Sequence, residues 1–393
     1  MHLTETKRIN IYCCLLYALY GIITLTVTGF GVYFLEEFKF SYIAIGMTIA
    51  ISSLIASLLQ PVLGRLEDIK QYPWKNILII LSIIMLIASL GIFIAPKFLL
   101  ILLFGIMVIT YGCMYPFLNS AIFYYQHKGI QTNFGISRGF TSLSYMIFAI
   151  ALGAVLLHSS NMIINYLSAI TLIIMILVLY RLPYYGSYES KIDRSKKLKD
   201  TVLFKYPMFL FCIISITLFM VFHNMFMGYM INIFQNVGGN IQDVSFANSL
   251  GALLELPAMF LFFKIMEKVS VKKLIIFASF CYIIRSLIIL FAHNTLGIYL
   301  SLIFHMLSFA IIIPASVELT DKIMNEKEKF EGQAIIGSTI TLGAIFAHFL
   351  GGTILQQYDV HMMLIAMVVI TVLGCIFALI SMRYDGKPFK NNI

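Results

Sequence analysis

Long apolar stretches, separated by short polar breaks, run the whole length of this chain. Twelve of them are long enough to span a bilayer as helices: approximately residues 10–34, 41–64, 75–95, 98–122, 135–158, 161–181, 208–232, 243–265, 273–293, 295–319, 333–355 and 360–382. A hydrocarbon core of ~30 Å needs about 20 such residues. The longest polar gap, near Pro183 to Lys205, separates the sixth run from the seventh and carries Lys191, Arg194, Lys196, Lys197 and Lys199. The pattern predicts an all-α membrane protein of twelve transmembrane helices in two six-helix halves. The halves would be residues 1–182 and 207–393, joined by a basic cytoplasmic linker, 183–206. The repeat is read from hydropathy, because residue-level similarity between the halves is weak.

Composition sharpens this reading. The chain is 60% hydrophobic and 11% charged, with a mean hydropathy of +0.93, which excludes a soluble fold of 393 residues. The net charge of +9 is not a nucleic-acid footprint, because the excess gathers in loops on one side. The N-terminus, the even-to-odd loops and the C-terminus hold nearly all Lys and Arg, while the other side holds only Lys39 and Lys97. Both termini are therefore expected in the cytoplasm. Lys7 and Arg8 precede an apolar run too long for a cleaved signal, so the first run reads as a retained span. Cys13, Cys14, Cys113, Cys212, Cys281 and Cys375 lie inside apolar runs without metal spacing and read as small buried hydrophobes.

Ionisable residues inside the runs carry the chemistry. Glu255, Arg285 and His305 sit on the eighth, ninth and tenth runs. At 1.5 Å per residue, Glu255 lies about 18 Å below one surface, Arg285 about as deep from the other, and His305 about nine residues in. A charge at the bilayer centre costs roughly 3 kcal/mol on insertion scales. Three on consecutive helices suggest proton coupling, with Glu255 as carrier and Arg285 as its switched partner. The alternative is a permanent Glu255–Arg285 ion pair that pins two helices. Pro257 can kink the eighth helix beside the Glu.

Polar groups elsewhere predict a substrate wall. Tyr17, Tyr20, Tyr111, Asn119 and Arg138 are expected on the N-terminal side, with His223, Asn224 and Asn248 opposite. Arg138 reads either as a snorkelling interfacial residue or as a ligand for an anionic or hydroxyl-rich substrate. Gly64 and Asp68, in Gln60-Pro61-Val62-Leu63-Gly64-Arg65-Leu66-Glu67-Asp68, read as a cytoplasmic gating motif.

Twelve spans, two halves and Gly64-x-Leu66-x-Asp68 together resemble the major facilitator superfamily, although the usual Gly after the Asp is absent. Gln60-Pro61, Phe134-Gly135-x-x-Arg138, Arg285 and His305-Met306 resemble the lactose permease (oligosaccharide:proton symporter) branch. Glu255-Leu256-Pro257 and Gly332-Gln333-Ala334 look more like the phenylpropionate permease and nucleoside symporter group. The resemblance implies sugar binding for Arg138 and proton coupling for Arg285 and His305. It also shows departures: the sugar-binding carboxylate of the branch falls near Ser120, and its proton-carrying Glu on Ser308. Lactose is therefore not the expected substrate, and Glu255 is the remaining carboxylate near the midplane.

The expected function is secondary transport of a small polar organic substrate (a sugar or glycoside, nucleoside or aromatic acid) by alternating access with proton symport. A proton-coupled exporter of sugars or drugs on the same fold is the alternative. No rings of like charge or filter loop point to a channel, and no acid/base or metal constellation points to an enzyme. No phosphate loop is present, so no ATP, cofactor or metal is expected, and the proton gradient supplies the energy. The expected partners are substrate, protons and the lipid of a bacterial cell membrane, with no nucleic acid and the chain a monomer.

Overall fold

In the computed structural model the described residues are 2–70, 72–186 and 202–384; the side chains of residues 2–4, 65, 67–70, 204, 256, 258–261, 263, 326, 327 and 330 are outside the description. Among them the chain forms fifteen α-helices and one π-helical turn, without a strand. In chain order these are α1 (His2–Thr24), the π-turn (Leu25–Gly29), α2 (Gly31–Glu37), α3 (Tyr42–Lys70), α4 (Trp74–Ile92), α5 (Lys97–His127), α6 (Phe134–Leu156) and α7 (Met162–Arg181). There follow α8 (Val202–Lys205), α9 (Pro207–Gly228), α10 (Met230–Asn236), α11 (Ile241–Met266), α12 (Val271–Leu290), α13 (Thr295–Ile323), α14 (Glu326–Gln357) and α15 (Val360–Met382). Eleven described helices are long and apolar enough to cross a membrane. The remaining expected span coincides with α11, whose 26 residues also suffice for a ~30 Å core.

Two expected spans are not single helices. The first continues from α1 through the π-turn into α2, and the seventh breaks at Tyr229 between α9 and α10. Hydroxyls accompany the first break: Thr24 and Thr28 donate to carbonyls one turn back, Thr26 to Ile23, and Ser168 on α7 donates to Thr26 Oγ1 at 2.7 Å. Such bonds re-satisfy backbone loosened in a low-dielectric medium.

The chain divides into two compact units, Met1–Lys191 with Val244–Ala252, and Ile192–Asp243 with Leu253–Ile393. In the first, α1 packs on α6 and α7, and α4 on α5 and α7; in the second, α9 packs on α14 and α15, and α12 on α13 and α15. Small residues permit the close approaches. A Cβ on Gly21 would overlap the Thr141 carbonyl of α6, and one on Gly343 the Met220 backbone of α9.

The two series match in detail. Lys75, one residue into α4, donates to the Leu182 carbonyl at 2.6 Å beyond α7; Lys272, one residue into α12, donates to the Tyr384 carbonyl at 2.9 Å beyond α15. Ser89, 15 residues after Trp74, donates to Asn165 on α7; Ser286, 15 after Val271, bonds Thr371 on α15. Pro116 lies 19 residues after Lys97, and Pro314 19 after Thr295. The weak sequence repeat is therefore a repeat of helix register and of end-capping.

The linker's central part, residues 187–201, lies outside the described residues. Its far end is anchored: Lys205 Nζ and the Tyr206 hydroxyl both bond the Glu328 carboxylate, at 2.5 and 2.8 Å, and Glu331 accepts from the Val202 backbone N–H at 3.0 Å. Beneath them Val202, Tyr206, Phe209, Ile213, Met324 and Ile336 form one apolar cluster.

Candidate functional site

The second unit brings the three midspan ionisable residues into one chain of hydrogen bonds. His305 Nε2 lies 2.8 Å from Glu255 Oε1, and its Nδ1 lies 3.0 Å from Arg285 Nη1. His305 and Arg285 are fully buried, and Glu255 is partly so. Arginine offers only donors, so Nδ1 accepts from Nη1 and the ring proton sits on Nε2, facing the carboxylate. The connection between acid and guanidinium thus runs through the imidazole. Helix spacing gave the depth of all three but not this order, because depth leaves azimuth undetermined.

Aromatic rings enclose the group. The guanidinium lies over Phe222 at 5.3 Å and Phe226 at 4.7 Å. The His223 ring stacks on His305 at 5.5 Å and on Phe309 at 4.2 Å. His223, expected on the substrate wall, is therefore packed against the Glu255–His305–Arg285 chain. Its neighbour Asn224 donates back to the Met220 carbonyl of its own helix at 2.8 Å. Sequence reading overlooked Phe222, Phe226, Tyr282 and Phe309. Their signal was their spacing on α9, α12 and α13 relative to His223, Arg285 and His305.

In the first unit α1 and α5 present a cluster of tyrosines. Tyr20 stacks on Tyr111 at 5.3 Å with 11° between planes, and Tyr115 lies at 5.7 Å. The Tyr17 hydroxyl donates to Asn119 Oδ1 at 2.7 Å. Arg138, near the N-terminal end of α6, is exposed. It has no ion pair to a described acid. The Asn133 side chain caps this helix on the Ile136 N–H at 3.0 Å, so Phe134-Gly135-x-x-Arg138 is the helix start. Asn248 is buried and accepts from the Tyr145 hydroxyl at 3.1 Å. It is thus grouped with α6. Gly64 lies in α3 with open space around its Cα. The Asp68 side chain, and with it the gating reading, lies outside the described residues. Among the described residues no cluster of His, Cys, Asp and Glu could hold a metal.

The chain thus combines apolar helices of spanning length with a buried acid–imidazole–guanidinium chain in one unit and a tyrosine cluster in the other, an arrangement of the membrane-protein class. The MFS_1 like family model matches residues 10–366, and the chain belongs to that family, within the major facilitator superfamily. It is 21% identical over 361 residues, 90% of each chain, to a maltose permease of Geobacillus stearothermophilus. In fold it is similar to the nucleoside transporter NupG, with a TM-score of 0.81 at 18% identity over 97% of this chain and 100% of that one. It is also similar to a variant of the peptide transporter POT crystallised with sulfate, with a TM-score of 0.74 at 10% identity over 95% and 93%. The protein is a multi-pass membrane transporter for small substrates and not an enzyme.

Proposed function

We propose that this transporter is a proton symporter of the cell membrane, with both termini cytoplasmic, importing a small polar organic substrate by alternating access. The observation that carries the reading is the Glu255–His305–Arg285 chain, buried on three apolar helices. Because Arg285 holds Nδ1 as an acceptor, a proton added there would set two donors against each other. The Glu255 carboxylate is the remaining acceptor, so it takes the proton. Neutralised, it loosens its hold on His305, and with it the tie between α11 and α13. No cofactor enters this cycle.

The substrate is a sugar or glycoside, nucleoside or aromatic acid. The stacked Tyr20 and Tyr111 suit a flat ring or sugar face, and Tyr17 with Asn119 suits hydroxyls. Arg138, lacking an acidic partner among the described residues, suits a carboxylate or hydroxyls. Maltose-type sugars and nucleosides come first for testing, given the names of the similar proteins.

The experiment is pH recording in lightly buffered vesicles on addition of candidate substrates, wild type against Glu255→Gln. One substrate moves protons with wild type. The variant loses that movement while still exchanging labelled substrate. Substrate flux without proton movement in wild type would sink the symport reading, and the sign of the pH change reports direction.

A further inference from the structure

Four buried polar atoms without a hydrogen-bond partner belong to Arg285 and two residues close to it: Arg285 Nε, Arg285 Nη2, the hydroxyl of Tyr282 one turn away on the same helix, and Nδ1 of His223, which stacks on the His305 that Arg285 bonds. Trp74 Nε1 on α4 and His348 Nδ1 on α14 are also without one. Buried polar groups are nearly always paired, so a cluster of unpaired ones calls for an occupant. The geometry says which edge it takes. The guanidinium lies over the Phe222 and Phe226 rings, and the Nη1 corner is spent on His305. The Nε–Nη2 edge remains, the side-on fork with which arginine holds anions. Tyr282, one helical turn before Arg285 on α12, stacks on Phe219 at 4.3 Å and meets Phe222 edge-on at 5.8 Å. His223 adjoins Phe222 in sequence and stacks on His305. These atoms can all act as donors: the fork is cationic, the hydroxyl rotates, and the imidazole proton can sit on Nδ1.

We infer that Arg285, Tyr282 and His223 form a binding site for a small inorganic anion of halide size. Arg285 and Tyr282 have no solvent exposure, so the site excludes an organic substrate and suits a monatomic ion. The inference rests on the proposed protonation of Glu255. While Glu255 is ionised, it balances Arg285 through His305 and a further anion is repelled. When Glu255 is protonated, Arg285 loses that counter-charge and the halide replaces it. Proton and anion therefore load together.

The test uses purified full-length protein in detergent, equilibrated in sodium gluconate and titrated with sodium chloride or bromide at fixed ionic strength. Thermal midpoint and calorimetric heat are both read, at pH 5.5 and pH 8. Wild type shows a saturable rise in midpoint with halide, at lower concentration at pH 5.5 than at pH 8. Tyr282→Phe keeps the stacked ring and the gluconate midpoint, but binds halide about tenfold more weakly, as loss of a hydrogen bond to a charged acceptor does. Glu255→Gln binds at pH 8 as tightly as wild type does at pH 5.5. No saturable effect in wild type, or equal affinity in Tyr282→Phe, would overturn the site in favour of ordered water. Equal affinity at both pH values would overturn the joint loading. The titration uses no substrate, so it separates from the vesicle assay. Halide binding without proton movement discards the symport reading and leaves the site standing; proton movement without halide binding does the reverse.

Discussion

His305 touches both buried charges, so its removal strands each of them. Breaking a buried ionic contact from one side costs about 3–5 kcal/mol, because the remaining charge loses its compensation. We expect His305→Phe to lower the melting temperature sharply. Glu255→Gln and His305→Gln together should cost less than the sum of the two alone, by about 0.5–3 kcal/mol in a double-mutant cycle. Strict additivity would mean that the 2.8 Å contact contributes nothing in the membrane. In the first unit, Tyr17→Phe removes the donor to Asn119 without altering the ring. Its expected signature is a KM raised severalfold in substrate counterflow at unchanged maximal rate, since a neutral hydrogen bond contributes about 1 kcal/mol. The membership of the buried cluster was readable from the sequence, because charges deep in apolar runs are costly and few. The central place of His305 and the approach of His223 were not, since both depend on helix rotation and on partners distant in sequence.

Helix positions were legible from hydropathy alone, and most ends agree within a few residues. The breaks after Thr24 and Gly228 were not: both sides of each break are apolar, so the average does not change across it. Packing gives these helices distinct sensitivities. Gly21→Ala would drive a methyl into the Thr141 carbonyl, a backbone atom with little room to retreat. Overpacking of this kind costs about 1–3 kcal/mol; Gly64→Ala, with open space, serves as the neutral control in the same thermal measurement. Lys205 offers a test outside the membrane. Its pKa is raised above the ordinary 10.5, first by its hydrogen bond to Glu328. A raised lysine stabilises fully below its unfolded value and loses that contribution as pH climbs through the folded value. The difference in melting temperature between wild type and Lys205→Met should therefore stay small and constant from pH 6 to 9, and vanish only above about 10.5. A difference that changes between pH 6 and 9 would assign the linkage to another group.

For the whole molecule, the charge bias makes a topological prediction. A cysteine at Lys39 should react with a membrane-impermeant maleimide added outside intact cells, and one at Lys272 only after the membrane is opened. The reverse pattern would invert the orientation proposed here. The native cysteines are buried or half-buried, which keeps the background low.

The matching helix registers also speak to descent. Thr24 lies seven residues before α2 and His223 seven before α10; Tyr111 lies 14 residues into α5 and Phe309 14 into α13. Thr24 bonds the carbonyl of Tyr20, whose ring stacks on Tyr111, and His223 stacks directly on Phe309. Gene doubling would account for this match in register, with hydroxyl side chains at the pair of positions in one half and an imidazole on a benzene ring in the other. The scaffold is thus older than either chemistry.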